Sequence, residues 1–253
     1  MPELPTKRST LLSIVLLILA CSGATTAVEP DPAGGYRVLF IGNSLTYFND
    51  LPGTVARLAA MGDDTIHVQM VALPNFAVID HANGMSNAVE VIRGGGWDYV
   101  VLQQGPTTTP IGRDTLLLAV QQLDPDIRTA GAQTALLMVW PPADNLEAFD
   151  AVRASYQKAA QAVGGLFLPA GEAWRAAWAV NADLPLYGPD GFHPSELGTY
   201  LAALVISEAI TGHDARSLPA VAAVAAHPLP TSATTVRTLQ RVAHETVVRF
   251  EGR

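Results

Sequence analysis

Short apolar runs alternate along this chain with longer stretches in which apolar residues recur every three or four positions. The short runs predict strands at residues 36–41, 65–71, 97–102, 134–140 and 166–168. The longer stretches predict helices near residues 51–60, 86–93, 114–130, 146–163, 172–180, 195–210 and 235–250. Strands and helices that alternate at this pace build a parallel sheet with right-handed crossovers. The sequence therefore predicts an α/β fold, a three-layer α/β/α sandwich around a parallel five-stranded sheet.

Short segments that contain polar residues or prolines lie at the ends of four of the predicted strands. They lie at residues 42–44, 73–76, 103–106 and 140–142, where the sequence reads Gly-Asn-Ser, Leu-Pro-Asn-Phe, Gln-Gln-Gly-Pro and Trp-Pro-Pro. Because the carboxyl ends of parallel strands meet at one edge of a sheet, we expect these segments to lie close together. The candidate site is therefore placed at this edge.

Three side chains suited to nucleophilic catalysis follow one another as Ser44, Asp190 and His193. A serine hydroxyl becomes nucleophilic when a neighbouring base takes its proton, and an acid that holds the base by its other nitrogen completes the arrangement. A separation of three residues, in a segment rich in Pro and Gly, lets Asp190 fold back onto His193. Two plainer interpretations compete with this one. His193 could cap the helix that follows, and Asp190 could form the turn at residues 188–191.

The residues around Ser44 and His193 resemble two sequence blocks of the SGNH (GDSL-like) hydrolase superfamily. Gly42-Asn43-Ser44-Leu45 is similar to the Gly-Asp-Ser-Leu block, and Asp190-Gly191-Phe192-His193-Pro194 to the Asp-x-x-His block. The resemblance spans residues 36–211. It implies a flavodoxin-like sandwich and metal-free ester hydrolysis through an acyl-serine, with these three side chains as the catalytic residues and no cofactor. The second glycine of the G-x-S-x-G elbow is missing, which separates the chain from the α/β-hydrolases.

The same resemblance implies an oxyanion hole made by the backbone N–H of Ser44, a glycine N–H after the second strand and an asparagine side chain after the third. The glycine position falls in Leu73-Pro74-Asn75-Phe76, where proline has no N–H and Asn75 is the predicted substitute. Gln103 and Gln104 occupy the asparagine position, and Gln104 is preferred, since a glutamine amide donates as an asparagine does. Alternatively, both glutamines only hold their loop.

Asn43 and the histidines outside the triad are assigned mainly structural roles. Asn43 replaces the family's aspartate at the edge of the site, and we expect its side chain to hold the loop by hydrogen bonds. His81 is either structural or part of the site edge, and His67 is interpreted as structural. No role is assigned to His213, His227 and His244. Because no pair of histidines at ligand spacing is backed by carboxylates, no metal is predicted.

Two tryptophans on one predicted helix allow a packing role or a sugar-binding role. Trp174 and Trp178 are four residues apart, which places them on the same face of a helix. Such a pair is typical of a stripe packed against the core, although exposed aromatic rings also serve as platforms for sugars. We predict core packing for both.

The first residues of the chain have the pattern of a secretory signal. Lys7 and Arg8 precede an apolar run at residues 11–20, which is too short to span a membrane. We assign residues 1–27 to a signal peptide. Ile-Leu-Ala before Cys21 resembles a bacterial lipobox, which would make Cys21 a lipidated N-terminus in the envelope. Alternatively, cleavage falls near residues 24–27 and the protein is released.

Length, charge and cysteine content restrict the remaining possibilities. Residues 28–35 read as a flexible lead, and residues 36–253 are enough for a single domain. The formal net charge is −8, without blocks of Lys or Arg, which argues against nucleic acid or an anionic membrane surface as a partner. Cys21 is the only cysteine, so the domain after the signal contains neither a disulfide nor a cysteine metal site.

The sequence therefore favours an exported serine esterase that acts on a small-molecule or carbohydrate ester. Short acyl groups on exported carbohydrate are a preferred substrate by analogy with the family. An O-acyltransferase with the same triad is the first alternative, in which a sugar hydroxyl accepts the acyl group in place of water. A catalytically degenerate binding module is the second, because the oxyanion segments depart from the family pattern.

Overall fold

A computed structural model of the protein describes residue 1, residues 34–220 and residues 231–251. The predicted signal peptide beyond residue 1, Cys21, most of the predicted lead and His227 lie outside the described residues. Within the described part, no helix combines the length and the hydropathy that crossing a membrane requires.

In the described part of the chain, five parallel strands form the sheet, as predicted. They are β1 (Tyr36–Gly42), β2 (Ile66–Ala72), β3 (Tyr99–Leu102), β4 (Gln133–Leu137) and β5 (Leu166–Leu168). Their order is β2-β1-β3-β4-β5, which is the flavodoxin-like arrangement that the sequence resemblance implies. The middle strands β1 and β3 are buried along almost their whole length, because helices cover both faces of the sheet.

Helices form two layers around this sheet. In chain order they are α1 (Ser44–Tyr47), α2 (Leu51–Met61), α3 (Val78–Ala82), α4 (Ala88–Gly94), α5 (Pro110–Thr129), α6 (Phe149–Val163), α7 (Ala170–Val180), α8 (Glu196–Thr211) and α9 (Ala233–Phe250). Helices α2, α7, α8 and α9 pack together on one side, and α3, α4, α5 and α6 on the other. The predicted three-layer α/β/α sandwich is therefore confirmed.

Local capping interactions account for the boundaries that the sequence patterns placed incorrectly. Helix α5 begins at Pro110, four residues before the predicted start at residue 114. The Thr109 hydroxyl accepts a hydrogen bond from the N–H of Gly112, and Pro110 suits a first helical turn because its missing N–H has no helical partner. The short helices α1 and α3 were not predicted, since four or five residues carry too little periodicity to be recognised.

An aromatic cluster packs beneath the segment that carries Asp190 and His193. Trp174 is fully buried, and its ring stacks on that of Trp140 with centroids 3.6 Å apart. Tyr187 makes an edge contact with Trp174 and a tilted contact with Trp178, and its hydroxyl donates to the carbonyl of Pro141. The predicted packing role of the two tryptophans of α7 is confirmed.

Candidate active site

Ser44 begins helix α1 directly after the carboxyl end of β1. Asn43 caps this helix, because its Oδ1 accepts from the N–H of Leu45 at 3.1 Å. The same side chain donates from Nδ2 to the carbonyl of Phe76, at 2.9 Å, and ties the nucleophile segment to the loop after β2. The predicted structural role of Asn43 is therefore confirmed, and its buried amide explains how the loop is held without a charge.

Gln103 supports the same segment from the end of β3. Its side chain is fully buried, and Oε1 accepts from the N–H of Asn43 at 3.0 Å and from the hydroxyl of Thr46 at 2.6 Å. Its Nε2 donates to the carbonyl of Gln104 at 2.6 Å. The oxygen of the Gln103 amide therefore holds the residues on either side of Ser44, and its nitrogen holds the loop after β3.

His81 lies beneath the nucleophile segment, not at an exposed edge of the site. It is fully buried, with Nε2 2.9 Å from the carbonyl of Gly42 and Nδ1 2.7 Å from the hydroxyl of Ser86. Burial lowers the pKa of the ring, against smaller opposing effects of the Gly42 carbonyl and Asp80. The neutral imidazole therefore donates from Nε2 to Gly42. Of the two alternatives for His81, its burial and these contacts favour the structural role over a place at the site edge.

His193 lies between Ser44 and Asp190 with one ring nitrogen toward each. Nε2 is 2.9 Å from the Ser44 hydroxyl, and Nδ1 is 2.6 Å from Oδ2 of Asp190. Ser44 is 149 residues away in the chain, so only the shared edge of the sheet brings it to this distance. The three side chains make the contacts of a nucleophile, a base and an orienting acid.

The charge on Asp190 determines which nitrogen of His193 carries the proton. Its hydrogen bond with His193, and further ones from the N–H groups of Phe192 and His193, hold the pKa of Asp190 down at about 2. The ionised carboxylate only accepts hydrogen bonds, so Nδ1 must donate to it. The lone pair of Nε2 in the neutral ring then faces the hydroxyl of Ser44, ready to accept its proton.

Backbone carbonyls on the His193 segment accept hydrogen bonds from Trp140 and from within the segment itself. Nε1 of Trp140, beyond the end of β4, donates to the carbonyl of Phe192 at 3.1 Å. The N–H of Gly188 donates to the carbonyl of His193 at 2.7 Å. The irregular segment is therefore fixed by hydrogen bonds that a helix or a strand would otherwise supply.

Two backbone features near Ser44 suit the predicted oxyanion hole. Among the described residues, no acceptor is bonded to the N–H of Ser44, which is therefore available to a substrate oxygen. Asn75 is exposed and has a φ of 61°, in the left-handed region. Glycine normally occupies that region and asparagine tolerates it better than most residues, which explains how Asn75 can replace the glycine of the family. Its role as a donor remains a prediction.

Gln104 makes hydrogen bonds that favour the structural alternative. Its Oε1 accepts from the N–H of Val78 at 3.2 Å, and its Nε2 donates to the carbonyl of Gly112 at 3.0 Å. These bonds connect the loop after β3 to α3 and α5, and none of them leads to Ser44. The preference for Gln104 over Gln103 as an oxyanion donor gains no support from these contacts.

A second serine–histidine–aspartate set lies at the far end of α8 and differs from the first in two respects. Ser217 Oγ is 2.7 Å from Nε2 of His213, whose Nδ1 is 3.5 Å from Asp64. The Ser217 hydroxyl, however, donates its proton to the carbonyl of Asp214, to which the N–H of Ser217 is also bonded. With neither its proton nor its N–H free, Ser217 closes a turn. Helix α8 separates the two sets by about 24 Å, from 16 residues at 1.5 Å each.

Within the described residues, one group of side chains, around His244, has the spacing of metal ligands. Glu208, Asp214 and His244 bring one ligand atom each within 4.8 Å of one another. His244 Nδ1 is 2.7 Å from Glu208, and both oxygens of Asp214 accept from Arg216. The Arg216 guanidinium repels a cation and occupies the Asp214 oxygens. The cluster therefore links α8 to α9 through Glu208 and His244 and is not a cofactor site.

Phe48 and Asn49 contact the His193 segment, and the sequence patterns did not identify them. The ring of Phe48 stacks on the imidazole of His193, with centroids 4.5 Å apart, and Asn49 donates to the carbonyl of Pro194 at 2.9 Å. The sequence contained one partial signal, since Asn-Asp directly before a helix start at Leu51-Pro52 indicates a tight turn. Nothing in it indicated that the turn faces His193.

Comparison with solved structures identifies proteins of the same fold. A DUF4886 family protein from Bacteroides uniformis is 18% identical with a TM-score of 0.72, over 85% of this chain and 95% of its own. A protein described as a putative SGNH hydrolase, from Slackia heliotrinireducens, is 26% identical with a TM-score of 0.61, over 70% of this chain and 100% of its own. A lipase/acylhydrolase from Enterococcus faecalis is 17% identical with a TM-score of 0.57, over 70% and 96%. No protein-family model and no curated protein sequence matches the chain.

Proposed function

We propose that this chain is an exported serine esterase of the SGNH-like hydrolase superfamily, because it shares its fold with a putative SGNH hydrolase and a lipase/acylhydrolase. The observation that carries the proposal is the contact of His193 with Ser44 at 2.9 Å and with Asp190 at 2.6 Å. The fold and this contact together support ester hydrolysis in general. No step of the proposed reaction needs a metal or an organic cofactor.

In the first half of the reaction, Ser44 Oγ attacks the carbonyl carbon of the ester. His193 Nε2 takes the hydroxyl proton as the new C–O bond forms, and Asp190 stabilises the imidazolium that results. The carbonyl oxygen becomes an oxyanion, which the N–H of Ser44 and a donor from Asn75 stabilise. The imidazolium then gives its proton to the leaving alcohol as the ester C–O bond breaks, which leaves an acyl-Ser44.

In the second half, water replaces the alcohol. His193 Nε2 takes a proton from the water as its oxygen attacks the acyl carbon, and the oxyanion forms again in the same place. The bond to Ser44 then breaks and the proton returns to Ser44 Oγ, which releases a carboxylic acid. Each half uses the same donors, because the negative charge develops on the same oxygen.

We further propose that the substrate carries a short acyl group on an exported carbohydrate or a related small molecule. Export through residues 1–27 would place the enzyme where such esters are found. An acetylxylan esterase from Geobacillus stearothermophilus shares the fold, at 15% identity and a TM-score of 0.51 over 71% of this chain and 94% of its own. That likeness is evidence for the fold alone, so the substrate class rests on the proposed export.

The decisive experiment tests Ser44 directly. The purified protein is treated with a fluorophosphonate probe, and its hydrolysis of p-nitrophenyl acetate is followed in parallel. Wild type should be labelled and active, whereas Ser44→Ala should lose labelling and at least about 10,000-fold in kcat. His193→Ala should behave in the same way because it leaves the serine without a base.

Ser217→Ala is the matched control, since Ser217 also contacts a histidine but its proton and N–H are used in a turn. It should be labelled like wild type. Labelling that persists in Ser44→Ala would contradict the assignment of the nucleophile. A wild-type protein that is neither labelled nor active would instead favour a binding module. Formation of acyl-sugar faster than free acid, with a sugar acceptor present, would favour an acyltransferase.

A further inference from the structure

The turn between α1 and α2 has an unusual backbone. Asn49 and Asp50 both have a φ of 53°, in the left-handed region that disfavours residues other than glycine. Two consecutive residues of this kind persist only where their surroundings hold them, and such places are frequent beside functional sites. The contacts of Asp50 are local, because its carboxylate caps α2 at Gly53 and pairs with Arg57 at 3.1 Å.

Asn49 connects the segment of the nucleophile to the segment of the base. Its Nδ2 donates to the carbonyl of Pro194 at 2.9 Å and to the hydroxyl of Thr199 at 3.0 Å. Pro194 directly follows His193, and Asn49 is five residues beyond Ser44. The Asn49 amide therefore joins the nucleophile segment to the residue after His193 and to the first turn of α8. The backbone of Asn49 is left-handed in the conformation in which its amide makes these two hydrogen bonds.

Phe48 packs against the face of the His193 imidazole, where the ring has no hydrogen-bonding atoms. Its ring lies 4.5 Å from that of His193 with an angle of 22° between the planes. Phe192 contacts the imidazole from a second direction, at 5.2 Å and 84°. Ser44 and Asp190 bind the two nitrogens in the ring plane, whereas the two phenyl rings restrict rotation out of it. The imidazole is therefore restrained at both ring nitrogens and by two phenyl rings.

We propose that Phe48 and Asn49 are positioning residues of the esterase reaction. Asn49 sets the distance between Ser44 and His193, and Phe48 keeps the imidazole in the plane that proton transfer requires. This proposal rests on the proposed function for its catalytic consequence. Neither side chain gives or takes a proton in the proposed reaction, so the expected effect is a slower chemical step and not weaker binding of substrate.

Asn49 is tested with two variants that both remove the amide N–H, one with and one without a side chain. Asn49→Gly accepts the left-handed backbone and removes the amide, and Asn49→Asp keeps the shape but has no N–H to donate. Both should lower kcat per active site roughly 10-fold, with KM within about 2-fold, since small misplacements of reacting groups slow the chemical step. Active sites are counted by fluorophosphonate titration, because a loss of folded protein lowers the number of sites and not the rate of each. Asp50→Asn retains a good cap and is the control expected to keep the wild-type rate.

Phe48 is tested by keeping or removing the ring. Phe48→Tyr should keep kcat per site within about 2-fold, whereas Phe48→Leu, which keeps apolar volume without an aromatic face, should lower it roughly 10-fold. A raised KM with unchanged kcat in Phe48→Leu would contradict positioning and make Phe48 a substrate contact. Unchanged kcat per site in both Asn49 variants would overturn the role of Asn49.

The proposed function and the positioning role can fail separately. If wild type is neither labelled nor active, the esterase proposal fails, and the ring NMR signals of His193 then test the restraint directly. One sharp set of signals in wild type, broadened in Asn49→Gly and in Phe48→Leu but not in Asp50→Asn, supports the restraint. Identical signals in all four proteins would refute it.

Discussion

Neutral amide side chains, not charged groups, hold the loops around Ser44. Asn43, Gln103 and Gln104 are all buried, and each uses an oxygen to accept and a nitrogen to donate. A buried amide is tolerated only when its polar atoms are bonded, and it adds no charge that would compete with Asp190 for the imidazole. At the scale of single residues, the frame of the site is therefore rigid and electrically neutral.

Replacing Gln104 separates its structural role from a role in the oxyanion hole. Gln104→Ala removes the acceptor of the Val78 N–H and one donor to the Gly112 carbonyl, which keeps the Thr115 hydroxyl as a donor, and the unpaired N–H should lower the free energy of unfolding by about 1–3 kcal/mol. We expect kcat per titrated site to stay within about 2-fold of wild type. Urea denaturation measures the first quantity, and p-nitrophenyl acetate turnover the second.

Loss of an oxyanion donor would lower kcat far more than the loss of a structural hydrogen bond. Removing such a donor usually lowers kcat by about 100- to 1,000-fold. A loss of that size per titrated site in Gln104→Ala would restore the original preference for Gln104. Gln103→Ala is the matched variant, since Gln103 occupies the neighbouring position and contacts the nucleophile segment directly.

At the scale of elements, the site depends on how short helices are attached to the ends of strands. Helix α3 is attached to the end of β1 through His81, which donates to the carbonyl of Gly42. The same carbonyl accepts from the N–H of Leu73, after β2. Three elements therefore meet two residues before Ser44, so the protonation of His81 affects their packing.

His81 should make the stability of the protein dependent on pH. Its pKa lies below 6.5 in the folded state, so the unfolded chain binds a proton first as the pH falls. The stability that the neutral His81 contributes is fully present above pH 6.5 and is lost as the pH falls through the lower pKa of the folded state. Urea denaturation between pH 8 and 5 should show wild type losing stability toward acid, by at most about 1.4 kcal/mol per pH unit from this residue.

His81→Gln is the variant that isolates this effect. Glutamine keeps a donor for the Gly42 carbonyl but does not titrate, and the other histidines are common to both proteins. The difference in unfolding free energy between wild type and variant should therefore shift in favour of the variant below pH 6.5. A difference that stays constant from pH 8 to 5 would contradict a neutral, buried His81.

At the scale of the whole molecule, the proposed export separates the chain into a removed signal and a single domain. Residues 36–253 are proposed as that domain, after the lead at residues 28–35. The apolar run at residues 11–20 should direct export and then be removed. The proposed membrane contact is a lipid on Cys21, if cleavage falls there.

Charge inserted into the apolar run should block export. Leu16→Arg places a cation in the middle of the run, and we expect the protein to stay in the cell with residues 1–20 attached, whereas Leu16→Ala should be exported. Mass spectrometry of the N-terminus measures the outcome. Export of Leu16→Arg at the wild-type level would contradict the signal assignment, and a Cys21→Ser variant that moves from the detergent to the aqueous phase would show lipidation.

Much of the fold follows from local patterns. Apolar runs and periodic stretches depend on a few adjacent residues, so β1 and β5 were predicted within one residue of the structure. The start of α5 was missed, because a cap by Thr109 is a single hydrogen bond with no effect on periodicity. Short elements such as α1 are stabilised by their surroundings, which a local pattern does not contain.

The sequence by itself determined the sheet, the shared edge of its strands and the residue types of the triad, because these depend on apolar periodicity and on two short motifs. Only the tertiary structure showed that His81 is enclosed, that the Gln104 amide is bonded to α3 and α5, and that Phe48 and Asn49 reach the His193 segment. These contacts join residues far apart in the chain, and their distances follow from packing. The set around Ser217 also became visible only in the fold, and its hydroxyl donates to the Asp214 carbonyl, whereas that of Ser44 lies 2.9 Å from His193 Nε2.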